Sequence, residues 1–233
     1  GIAYWELEYM RLSEKSWVKN ITIVHSLLGF VLSLLLVFRT NTAYDRWWEA
    51  RKQWGSLTNS SRTLAYKMNS FLAEDDKVNR SFYRKAIPLY AETLHDFLRS
   101  DYTKFMLDEI DHPELSSLDG KKHGPNQVAA MIFNKTNSLY KEGKISGDQL
   151  IIINDELQSF TNICGACERI KNTPIPMSYS SFIKKFIIFY TASLPIGYVF
   201  SIGYFVIVAV PFVFYVLGSL ELIGESIEEP FGV

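Results

Sequence analysis

The sequence predicts an all-α membrane protein with a large polar helical insert, and three observations predict it. Apolar residues make up 48% of the 233 residues, but they are segregated into residues 21–38 and 182–224, with charge filling the interval between. Residues 21–38, ITIVHSLLGFVLSLLLVF, carry no formal charge unless His25 is protonated. The polar interval repeats apolar residues at helical spacing and holds no period-2 strand of any length.

Residues 1–20 show no signal-peptide pattern of basic, apolar and small-residue regions. The chain starts on Gly1 and stops after EEPFGV, so both natural ends are expected to lie outside it. The first apolar run, 21–38, would reach about 27 Å as a helix, close to a hydrocarbon core of about 30 Å. His25 sits inside it, where an ionisable side chain is either functional or a neutral partner to a neighbouring helix. Gly29 and Ser33 form a small-xxx-small pair that lets another helix approach. Phe30, Leu34 and Phe38 are spaced by four and share a stripe, which is lipid-facing, packed or pore-lining.

The run then continues as RTNTAYDRWWEARKQW without Gly or Pro. One helix is expected to pass from lipid into water. Arg39, Arg46 and Arg51 mark where lipid ends, Asp45 and Glu49 pair with these arginines, and Trp47 with Trp48 packs the joint. Residues 39–181 form the polar insert, with helices over 43–72, 80–107, 126–141 and 147–171 and a Pro- and Gly-rich loop over 111–126. Pro88 bends the second of these helices. Asp75 with Asp76, and Glu228 with Glu229, read as solvated charge, because neighbouring helical residues diverge by about 100°.

TPIPMSY (173–179) is a rigid elbow or linker ahead of the second apolar region. That region, 182–224, parses as two spans over 184–200 and 203–223, kinked at Pro195 and Pro211, with a turn near Phe200 to Gly203. Basic residues follow the first span and open the second, so residues 39–181 are cytoplasmic by the positive-inside rule, as is the segment 225–233.

A net charge of −1 gives no basic face for nucleic acid. Cys164 and Cys167 form a single C-G-A-C, too few ligands for a structural zinc site and outside any βαβ context. His95, His112 and His123 have no metal or dyad spacing and read as ordinary surface or loop residues. No phosphate loop, nucleophile elbow or HExxH is present. Neither an enzyme, a metal nor a cofactor is expected.

Three blocks, FRTNTAYDRWWEARKQWG (38–55), CERIKNTPIPMSY (167–179) and IEEPFG (227–232), resemble the bacterial bestrophin family in order and spacing, over essentially the whole chain. The resemblance implies a homopentameric, mainly helical ion channel in the inner membrane, with lipid and permeant monovalent ions as its other partners. Family subunits have four spans, so one upstream helix is missing or only partly represented by residues 1–18. The family's hydrophobic neck falls on Phe30, Leu34 and Phe38, where bulky rings gate by dewetting. Its cytoplasmic aperture falls on Asp148, with Gln149 adjacent, a departure from the apolar residue of other members. An aspartate ring concentrates cations; alternatively Asp148 only caps the helix that starts there. Bacterial members are cation-selective by this resemblance, so sodium is favoured, with a chloride channel as the alternative. The calcium site of animal members lies in an acidic cluster beyond the PFG segment, and no bound calcium is expected here. A non-conducting membrane-anchored scaffold and a thiol-redox enzyme built on Cys164 and Cys167 are the rivals from other classes.

Overall fold

The computed structural model describes residues 21–99 and 123–232, so expectations for 1–20 and 100–122 lie outside it. Six α-helices account for the described residues: α1 (Ile21–Phe71), α2 (Lys77–Arg99), α3 (Gly124–Lys141), α4 (Gly147–Asn172), α5 (Met177–Ile202) and α6 (Val206–Glu228), with a 3-10 turn at Gly203–Phe205. No strand occurs among the described residues. The chain divides into a membrane unit, residues 1–47 and 174–229, and a polar unit, residues 48–173 and 230–233.

The sequence suggested one unbroken helix from residue 21 to 72, and α1 runs 51 residues without a break. Its buried residues include His25, Leu32, Leu36, Arg39, Ala43, Ala50, Leu57, Leu64 and Met68. Steps of seven, four and three are those of a coiled-coil seam, so one stripe faces its own chain along the whole length. Among the described residues three helices, beginning at Ile21, Met177 and Gly203, are long and apolar enough to cross a membrane. Pro195 and Pro211 lie inside α5 and α6.

Within the membrane unit α1 packs on α5 through Leu32, Leu36, Ile183 and Ile187. Gly29 permits the close approach its spacing suggested: a Cβ there would stand 2.5 Å from the Tyr190 hydroxyl. Ser33, one turn on, is exposed, and its hydroxyl donates to the Gly29 carbonyl on its own helix. The expected turn between the last two spans is present, with Gly203 at φ +56° closing α5. Pro174, Ile175 and Pro176 stay outside any helix, and Pro176 is the residue from which α5 starts.

The polar unit has a continuous core contributed by α1 to α4, including Leu64, Tyr83, Tyr90, Ile132, Leu157 and Phe160. Tyr90 stacks on Phe160 at 4.6 Å, and its hydroxyl donates to the Phe160 carbonyl. Helices α3 and α4 form a hairpin whose turn is a Schellman motif. Gly143, at φ +69°, follows the Glu142 cap; its N–H bonds the Tyr140 carbonyl, and the Lys144 N–H bonds Leu139. The expected loop over 111–126 ends earlier, because Pro125 sits in the first turn of α3.

Asp76 is not solvated charge. It accepts from the Asn79 side-chain Nδ2 at 2.6 Å and from the Asn79 backbone N–H at the start of α2, and it pairs with Lys144 at 3.1 Å. Those bonds favour the ionised form and hold its carboxyl below the usual value.

Candidate functional site

Phe30, Leu34 and Phe38 are 67%, 44% and 56% exposed, while Leu32 and Leu36 are buried. Leu34 is two residues from each of these, or about 160° around the helix axis. The stripe therefore points away from the packing of the described residues. Ile23, Leu27 and Val37 are exposed as well, leaving an apolar surface that needs lipid, another subunit or a pore against it.

At the end of the apolar stretch lies a buried ion cluster that sequence reasoning missed. Arg39 is 1% exposed. Its Nε stands 2.7 Å from Glu221 Oε2, and its Nη2 donates to Glu228 Oε2 at 3.1 Å. The Nε–H is not aimed at the Glu221 oxygen, so that contact is coulombic. Its Nη1 donates to Ser180 Oγ. The other oxygen of Glu228 accepts from the Ile175 N–H at 3.2 Å, and its backbone carbonyl accepts from Arg46 Nε at 3.2 Å.

Two expectations are thereby corrected. Arg39 takes its acidic partners from α6, whereas Glu49 accepts from Lys52 and Gln53 on its own helix and Asp45 is exposed. A carboxylate one turn away still has water, while Glu221 is 3% exposed and must find a cation. Glu228, read as solvated, is a junction between α1, the proline elbow and α6. Trp48 is 50% exposed and so packs only in part, while Trp47 lies 5.9 Å from the Tyr44 ring on its own helix.

His25 takes the helix-bridging role. Ser193 Oγ donates to the Tyr190 carbonyl, so it accepts from His25 Nε2–H at 2.8 Å.

At α4, Asp148 is not the cap. Ser146 is, through a capping box in which Ser146 Oγ accepts from the Gln149 N–H and Gln149 Oε1 accepts from the Ser146 N–H. Gln149 is thus held locally, and Asp148 remains exposed in the first turn. Ile151 and Ile152, three and four residues on, are 70% and 45% exposed on the same face.

The two cysteines are free, buried thiols. Burial pushes Cys164 up to about 12 and Cys167 up to about 11, far from the lowered values of reactive pairs. The thiol-redox rival loses its chemical basis. His123 is not an ordinary surface residue either: its Nδ1 accepts from the Asn126 N–H as the cap of α3, and its Nε2 meets Glu168 Oε1.

Residues 7–233 match the family of bacterial and fungal bestrophin proteins. The chain belongs to the bestrophin family. A voltage-dependent anion channel-forming protein of Ralstonia nicotianae is 33% identical over 215 residues, 91% of this chain and 70% of that protein. One of the same description from Nostoc sp. is 36% identical over 210 residues, 88% of this chain and 68% of that protein. The fold matches a crystal structure of a bacterial bestrophin homologue from Klebsiella pneumoniae at a TM-score of 0.84 and 23% identity, covering 100% of this chain and 85% of that one. These bestrophin relatives are named for forming channels and not for catalysis.

Proposed function

We propose that the protein is an ion channel whose subunits assemble around a central pore, with α1 as the lining helix. The observation that carries this is the placement of Phe30, Leu34 and Phe38 opposite the buried seam of an unbroken helix. Among the described residues nothing covers that stripe, so a neighbouring copy, lipid or a water-filled axis fits against it, and the relatives are named as channel-forming proteins. Five copies about one axis turn the three residues into rings, a neck narrow and apolar enough to gate by dewetting.

Asp148 supplies charge selectivity at a second ring. Freed from capping by Ser146 and Gln149, its carboxylate is exposed; five of them concentrate cations and repel chloride. The reading is a homopentamer of the inner membrane passing small monovalent cations such as sodium. Residues 21–38 and 182–224 span the bilayer, and residues 39–181 and 225–233 are cytoplasmic. Chloride conduction is the second reading, favoured by the relatives' names.

Purified protein in planar bilayers under a NaCl gradient separates the two. A reversal potential near the sodium equilibrium value supports the aspartate ring, and a value at the chloride equilibrium potential overturns it. Particle images showing five-fold symmetry support the assembly. A monomer without ion flux would return the chain to a membrane-anchored scaffold.

A further inference from the structure

His123 immediately precedes α3, and Cys164 and Glu168 lie four residues apart on one face of α4. An imidazole nitrogen, the sulfur and a carboxylate oxygen of these three residues lie within 4.8 Å of one another. The sulfur is buried, whereas His123 and Glu168 are half-buried, so an ion has a path in from solvent. Conduction through the proposed pore uses none of the three. A hydrogen-bonded pair between His123 and Glu168 ties α3 to α4, and the Cys164 thiol, which meets the Tyr90 hydroxyl, lies beside that pair.

We propose that His123, Cys164 and Glu168 form a three-ligand site for a borderline-soft divalent cation, with Zn²⁺ the best fit. Nitrogen, sulfur and oxygen donors are its ligand set, while Mg²⁺ and Ca²⁺ take oxygen. Metal–ligand lengths near 2.0–2.3 Å put tetrahedral donor atoms about 3.5 Å apart, within the span the three groups already occupy. The fourth position is left to water. Tyr90 is not a ligand, because its hydroxyl donates to the Phe160 carbonyl.

Binding releases the Cys164 thiol proton to solvent. Because Nδ1 accepts from Asn126, the neutral imidazole carries its proton on Nε2. A metal on Nε2 moves that proton to Nδ1, so binding gives up the Asn126 capping bond. The site is therefore weaker than a preorganised one, and filling it changes the first turn of α3.

The test uses the assembled protein in detergent, stripped with a chelator, kept reduced and titrated with CoCl₂. The proposal predicts one cobalt per chain, a thiolate-to-cobalt charge-transfer band with tetrahedral d–d bands, and displacement by ZnCl₂. Cys164→Ser should abolish the charge-transfer band. Glu168→Gln should keep the band and weaken binding by about tenfold or more, since disturbing even a partner of a metal ligand costs about that much. Cys167→Ser should leave both unchanged. No band in the wild-type assembly, a band surviving Cys164→Ser, or its loss in Cys167→Ser overturns the site. If Cys164→Ser does not assemble, the half-exposed His123→Ala decides: cobalt affinity falling about tenfold supports the site, and unchanged affinity overturns it.

Discussion

The two units differ in what they bury beside their apolar side chains. The polar unit gathers one continuous apolar core from Ala50 to Ile170, with Phe231 added, and its buried polar residues are the small Asn79, Thr93 and Thr136. Among the described residues the membrane unit has two small apolar clusters, around Leu32 with Ile183 and around Val199 with Val206. It also buries His25, Arg39, Thr191 and Glu221, and exposes Ile207, Val208, Phe212 and Tyr215. Water drives apolar groups inward in the first unit. Lipid offers no such drive in the second, so close packing and polar contacts hold its helices together.

The sharpest break of this contrast is Arg39→Ala, which strands Glu221 and the inner oxygen of Glu228. Losing one partner of a buried pair costs about 3–5 kcal/mol, and thermal unfolding in detergent should show the drop. Next, the same substitution can be made at two points of α1. Leu64→Ala opens a void in the polar core and costs about 2–5 kcal/mol. Leu34→Ala, on the uncovered stripe, should change stability by no more than about 0.5 kcal/mol. Equal losses at both positions would erase the distinction between the two faces.

Smaller effects test the hairpin and the α2 start. Gly143→Ala puts a side chain at φ +69° and should cost about 1–2 kcal/mol. Asp76→Ala removes a capping acceptor worth about 1 kcal/mol. The Asp76 carboxyl titrates below its ordinary 3.8 in the folded protein, so the folded state favours its ionised form. That stability is fully present above about pH 4 and is lost as pH falls through the depressed folded value. Denaturant midpoints measured from pH 6 down to 3 should fall in the wild type and be flatter in the variant.

Much of the fold was legible because its signals are local. The apolar runs, the absence of a breaker between Phe38 and Trp54, the proline elbow and Gly203 each act on their immediate neighbours. The Phe30, Leu34 and Phe38 stripe was also readable, since helical spacing alone defines it. The Arg39 cluster was not, because Glu221 and Glu228 lie 182 and 189 residues along the chain. Adjacency of Glu228 to Glu229 described only the helix they share. His123 misled in the same way, for its partner Glu168 arrives through the α3–α4 hairpin. A signal was present: Glu221 is the first charge after an apolar stretch and Arg39 ends another, and two such groups at one depth seek each other.

Single-channel recording of wild type, Leu34→Ala and Phe38→Ala in planar bilayers tests the central claim most directly. If α1 lines the neck, shrinking either ring eases wetting, and both variants should show higher open probability or conductance. Currents identical to wild type in both variants would take these residues out of the conduction path and contradict the account.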